Sequence, residues 1–62
     1  MKHIFTRKQA VSIIHQVRNG VESPDLMAEV DLKHPLFKIT NESLMDILCE
    51  FIDEENIAGV VD

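Results

Sequence analysis

The chain has little of what usually stabilises a very small protein. It has 62 residues and a single cysteine, Cys49, so no disulfide can form within one chain. A lone thiol is typical of proteins in reducing compartments, and we therefore expect a cytoplasmic protein. A chain of this length buries only about 60% of the surface it exposes when unfolded. We therefore expect stabilisation by another chain, a homodimer being the commonest form.

Long apolar runs are also missing. No stretch approaches the roughly 20 apolar residues that span a bilayer, so we expect no membrane partner. Arg7 and Lys8 interrupt the region where a signal peptide would have its apolar stretch. The hydrophobic fraction of 45% is ordinary for a folded protein. The composition therefore predicts one small folded domain over residues 1–62.

Acidic residues are absent from the first 20 positions. This segment carries four basic residues, Lys2, Arg7, Lys8 and Arg18, whereas residues 21–62 hold all eleven acids and only Lys33 and Lys38. The two segments therefore carry +4 and −9, which sum to the net charge of −5. Such asymmetry indicates either neutralisation within the fold or an oppositely charged partner for one segment.

Capping signals predict a first helix over residues 7–19. Thr6 and Gln9 form a T-x-x-Q capping box at its start. Gly20 supplies the left-handed residue that commonly follows a helix. Apolar residues recur at helical spacing and predict the buried stripe Ala10, Ile13, Ile14 and Val17.

The middle of the chain predicts a second, short helix and then extended chain. Ser23 is a suitable cap, and Pro24 suits the first helical position. Because Pro35 disfavours helical geometry in the preceding residue, we expect this helix to end near Leu32. Residues 36–39 then have the composition of an extended segment or short strand.

A third helix is predicted over residues 41–56, capped by Thr40 or Asn41. Its apolar stripe is Leu44, Ile47, Leu48 and Phe51. Val60 and Val61 predict a last extended segment. The expected fold class is mostly α: a compact three-helix domain with short extended segments near the N-terminus, at residues 36–39 and at the C-terminus.

Residues that could support catalysis or bind metal do not form a motif. His3, His15, His34 and Cys49 lack the short spacings of zinc sites, so we expect no metal and no cofactor. The acidic neighbours of Cys49 do not provide the electropositive setting that a nucleophilic thiol needs. A fold of this size rarely encloses the pocket that paired carboxylates need for acid–base catalysis. The sequence therefore predicts a protein that is not an enzyme.

The predicted third helix suggests a binding surface. Its apolar residues cover roughly 200° of the helix, more than the stripe of a little over 100° that a surface helix usually shows. Its flank could be covered internally or by another chain. We expect a non-catalytic protein-interaction module, a small regulator or inhibitor. Its apolar anchors would be Met45, Cys49 and Ile52, and its charged rim Glu42, Asp46, Glu50 and Asp53.

The alternative is a small DNA-binding regulator that uses the first helix. Arg7, Lys8 and Arg18 would contact phosphates, with His15 and Val11 on the same side. The net charge of −5 argues against this alternative, because phosphate affinity needs a positive footprint. Protein binding is therefore the leading hypothesis.

Overall fold

The computed structural model describes residues 2–62. These residues form two α-helices and one two-stranded parallel sheet, so the expected three-helix class is wrong. In chain order the elements are β1 (His3–Thr6), α1 (Arg7–Arg18), a 3-10 helix (Pro35–Lys38), α2 (Asn41–Leu48), a second 3-10 helix (Glu54–Asn56) and β2 (Ile57–Val61).

The first predicted helix is confirmed as α1, which ends one residue earlier than expected. The Thr6 hydroxyl accepts from the Gln9 amide, and the Gln9 side chain accepts from the Thr6 amide, each at 3.1 Å. Gly20 has a φ of 86°, so it is the left-handed residue that was predicted to follow the helix. Both ends of α1 are thus determined by residues within a few positions of them.

The second predicted helix is wrong, because residues 24–32 are irregular. The Gln16 side chain donates to the Asp25 carbonyl at 2.9 Å and accepts from the Asp25 amide at 3.0 Å. The Asp25 carboxylate accepts from the Met27 amide at 2.9 Å. A helix over these residues would pair the Asp25 carbonyl and the Met27 amide with other backbone groups, so these bonds compete with helix formation.

The third predicted helix begins where expected but ends eight residues early. Thr40 caps α2 by accepting from the Ser43 amide at 3.2 Å. Beyond Leu48 the chain turns, and the Asp53 carboxylate accepts from the Glu55 amide at 3.2 Å. Residues 49–56 therefore redirect the chain into β2 instead of prolonging the helix.

The sequence predicts an extended segment or a short strand over residues 36–39, and this prediction is wrong for residues 36–38. Pro35–Lys38 form a 3-10 helix in which the ring nitrogen Nδ1 of His34 accepts from the Leu36 amide at 3.2 Å. Proline at the start of such a helix loses no hydrogen bond, because the amide it lacks would have no partner there. Leu36 is buried in the core.

The extended segments expected at the two ends of the chain are present, and they pair with each other. β1 and β2 run parallel, with Phe5 opposite Val60 and Thr6 opposite Val61. The register is irregular between His3 and Ile4. Phe5 and Val60 pack with the core, whereas Val61, on the outward face, is exposed.

One apolar core lies between the helices and the sheet. Its largest fully buried side chains are Val11 and Ile14 of α1, Leu44 and Leu48 of α2, and Ile57 of β2. α1 packs against both α2 and the sheet. Val11 was expected on the basic side of the first helix and instead lies in this core.

Candidate functional site

The structure separates the residues that were expected to share one face of the third helix. Glu42, Met45 and Asp46 lie on α2, whereas Cys49, Glu50, Ile52 and Asp53 lie in the chain that follows it. The three expected anchors, Met45, Cys49 and Ile52, are half-buried and pack against the core. The four acids are exposed. Internal packing therefore covers much of the apolar flank.

The surface also carries a groove of about 700 Å³ lined by both exposed and buried apolar residues, here named the apolar groove. Two of the predicted site residues, Glu50 and Ile52, line it. Most of its other lining residues are apolar, and the full set is His3, Phe5, Ile13, Val17, Val21, Glu22, Pro24, Leu26, Glu50, Phe51 and Ile52.

The turn after α1 forms one wall of the groove. The Gly20 amide donates to the Val17 carbonyl at 3.0 Å, and the Val21 amide donates to the Gln16 carbonyl at 3.0 Å. This pair of bonds is a Schellman motif, which needs a left-handed residue, here Gly20. The turn and the Gln16–Asp25 bonds hold the loop after α1 beside that helix. This loop carries four of the lining residues, Val21, Glu22, Pro24 and Leu26.

The turn after α2 forms another part of the groove wall. The Phe51 amide and the Ile52 amide both donate to the Leu48 carbonyl, at 2.9 and 2.8 Å. This tight turn places Phe51 in the groove with 38% of its surface exposed. Sequence reasoning assigned Phe51 to the core stripe, because its spacing from Leu48 continues the helical pattern that the turn interrupts.

The charged residues of the groove have one sign. Glu22 and Glu50 line it, and no lysine or arginine is among its lining residues. His3 also lines it, with its ring 4.5 Å from the Phe5 ring, centre to centre. An apolar channel edged by carboxylates is suited to an apolar group that carries a positive charge.

The three basic residues of the DNA-binding alternative do not share one environment, because Arg7 is half-buried whereas Lys8 and Arg18 are exposed. The Arg7 guanidinium donates to the carbonyls of Phe37 and Ile39, at 2.8 and 2.6 Å, and to Asn41 Oδ1. Arg7 therefore connects the start of α1 to the start of α2. The sequence signal for this role is a cation in the first turn of a helix, where the helix dipole disfavours positive charge.

The histidines include one close pair that the sequence did not reveal. The rings of His15 and His34 lie 5.1 Å apart, centre to centre, and meet edge to face at 79°. Within residues 2–62, no group of three or more His, Cys, Asp or Glu side chains is arranged to hold a metal ion. The histidine pair is 19 positions apart, so no local spacing rule identifies it.

No protein-family model matches this chain, and searches of curated proteins and of solved structures return no match. Across residues 2–62, none of the helices has the length and apolar character needed to cross a membrane.

Proposed function

We propose that this chain is a non-catalytic protein-interaction module, acting as a small regulator or inhibitor. Its ligand is an apolar segment of a partner protein that carries flanking lysine or arginine residues. The observation that supports this proposal is the apolar groove, whose walls are apolar and whose two charged residues, Glu22 and Glu50, are both acidic. The proposed compartment is the cytoplasm, which rests on the lone Cys49.

The dimensions and exposure of the groove suit a small number of inserted side chains. Its volume lies within the range of roughly 300–1,000 Å³ that is usual for binding clefts. Val21, Leu26 and Phe51 are 41%, 36% and 38% exposed, so a ligand can remove further apolar surface from water. Aromatic residues in such positions commonly dominate binding energy. Phe51 is therefore the residue whose loss should weaken binding most.

Charge supports a basic partner over an acidic one. The net charge is −5, and both carboxylates of the groove add to the negative potential there. Exposed charges at the edge of an interface mainly accelerate association, and salt screens them. We therefore expect the affinity for a basic apolar peptide to fall as ionic strength rises. Arg7 is bound internally, so the nucleic-acid alternative retains only Lys8 and Arg18 as exposed basic residues of α1.

The experiment is a selection of peptides from a random displayed library on the wild-type protein. The selected peptides are then measured against Phe51→Ser and Glu50→Gln. The matched controls are Met27→Ser and Glu54→Gln, because Met27 is 82% exposed and neither control residue lines the apolar groove. Circular dichroism verifies that each variant is folded.

We expect selected peptides to combine apolar residues with lysine or arginine. Phe51→Ser should weaken their binding by about tenfold or more, the effect of a residue that contributes above 1.4 kcal/mol. Glu50→Gln should slow association at low salt and have little effect at high salt. The proposal is wrong if the selected peptides are acidic, if none is selected, or if the controls weaken binding as much as the groove variants.

A further inference from the structure

The small sheet has two strands, so within residues 2–62 each strand has one edge that no other strand covers. We propose that the open edge of β1 in one copy of this chain pairs with the open edge of β2 in a second copy. None of the described residues of β2 lines the apolar groove, so this inference does not rest on the proposed function.

The open edge of β2 lacks the features by which proteins usually prevent strand pairing. Charged residues and prolines commonly protect an edge, and Ile57–Val61 contain neither. The register is irregular at the start of the sheet, after which Ile4–Thr6 pair regularly with Gly59–Val61. The regular part of β2 therefore presents backbone donors and acceptors that another strand can match.

The outward face of the sheet adds exposed apolar surface beside these edges. Ile4 is 59% exposed and Val61 is 46% exposed. They alternate along their strands with Phe5 and Val60, which pack with the core, so both point away from the helices. A strand added at either edge can cover part of this apolar surface.

Charges at the ends of the strands favour pairing of β1 with β2 over pairing of like strands. Lys2 precedes β1 and the exposed Lys8 follows it, whereas Glu54 and Glu55 precede β2 and Asp62 follows it. Two β1 edges would bring lysines together, and two β2 edges would bring carboxylates together. A β1 edge against a β2 edge brings opposite charges together in either strand direction.

The β1 of a second copy also suits β2 in length and side chains. Within one chain, β1 already pairs with the inner edge of β2. The two strands have four and five residues, so a second β1 spans most of the outer edge. The Thr6 amide bonds to the Gln9 side chain, so the residues before Thr6 supply the free backbone groups of β1.

This mode of contact predicts weak association that does not close into a symmetric dimer. Every assembly keeps one open edge of each kind, so further copies can add. Two copies also repel through their net charge of −5, although salt at physiological strength screens charges beyond about 8 Å. A pair of short strands is small against the roughly 1,200–2,000 Å² of a stable interface. We therefore expect reversible association at tens to hundreds of micromolar.

The test is sedimentation equilibrium of two variants, alone and in an equal mixture. Ile4→Glu adds an acid to the β1 edge, which faces the acidic ends of β2. Val61→Lys adds a base to the β2 edge, which faces the basic ends of β1. Because each contact needs one edge of each kind, either variant alone should associate about tenfold more weakly or less than that.

The mixture should associate again, because each variant supplies the edge that the other lacks. The matched controls are Met27→Glu and Met27→Lys, which add the same charges at a position that is 82% exposed and outside the sheet. Both controls should associate as the wild type does. Circular dichroism verifies that each variant is folded.

An NMR concentration series of the wild type needs no variant, and it decides the matter if a variant does not fold. The amide signals of both β1 and β2 should shift together as the concentration rises. The proposal is overturned by a wild type that stays monomeric at hundreds of micromolar, or by shifts in only one of the two strands. It is also overturned if either variant alone associates as the wild type does, or if the mixture does not associate.

Discussion

Replacing Arg7 with alanine should destabilise the fold more than any other change of a basic residue. Its guanidinium binds two carbonyls, those of Phe37 and Ile39, and the Asn41 side chain. A hydrogen bond to a charged group contributes about 1.5–3 kcal/mol. Water can replace part of this, because Arg7 is only half-buried. Removing a cation from the first turn of α1 also recovers about 0.3–1 kcal/mol. The net loss should be about 2–4 kcal/mol.

That loss is large for this chain. At about 0.05–0.15 kcal/mol per residue, 62 residues give a total stability of roughly 3–9 kcal/mol. Urea denaturation followed by circular dichroism measures the change. Arg7→Lys should recover less than half of it, because an ammonium cannot reproduce the planar fork of donors. The control is Lys8→Ala, at an exposed neighbouring position, which should change stability by less than about 0.5 kcal/mol. If Arg7→Ala is no less stable than Lys8→Ala, the inferred role of Arg7 is refuted.

The other predictions concern local structure, surface charge and assembly. Thr6→Ala removes the capping box and should cost about 1 kcal/mol in urea denaturation. Gly20→Val places a branched side chain at a φ of 86° and should cost about 1–2 kcal/mol. Gly59→Ala should be nearly neutral, because a Cβ at Gly59 meets no atom within 4 Å and Gly59 has no positive φ. Reversing the exposed Glu42 and Asp46 to lysine should leave the melting temperature nearly unchanged; a clear loss would indicate internal ion pairing. Sedimentation equilibrium at tens of micromolar should show association beyond the monomer, and a stable monomer there would contradict it.

The candidate site was only partly predictable. Glu50 and Ile52 were expected at a binding surface, and both line the apolar groove. The expected reason was wrong, because α2 ends at Leu48 and no continuous helical face reaches them. Phe51 and Leu26 were missed. Their exposure depends on which neighbours the folded chain supplies, and periodicity does not contain that information.

The sequence by itself determined where α1 begins and ends and where α2 begins. Each of these boundaries depends on a residue within a few positions of it: Thr6 with Gln9, Gly20, and Thr40. Capping is a short-range hydrogen-bonding effect, so local sequence is sufficient to predict it.

Only the tertiary structure decided the rest of the fold. Phe5 pairs with Val60 across nearly the whole chain, and that pairing needs α2 to stop early so that β2 can lie beside β1. Gln16 of α1 binds both backbone groups of Asp25 and thereby favours an irregular segment over a helix. Gln16 and Asp25 are nine positions apart and Phe5 and Val60 are 55 apart, beyond the few positions that capping signals span. Their energies depend on the completed fold, and local propensity is too weak to outweigh them.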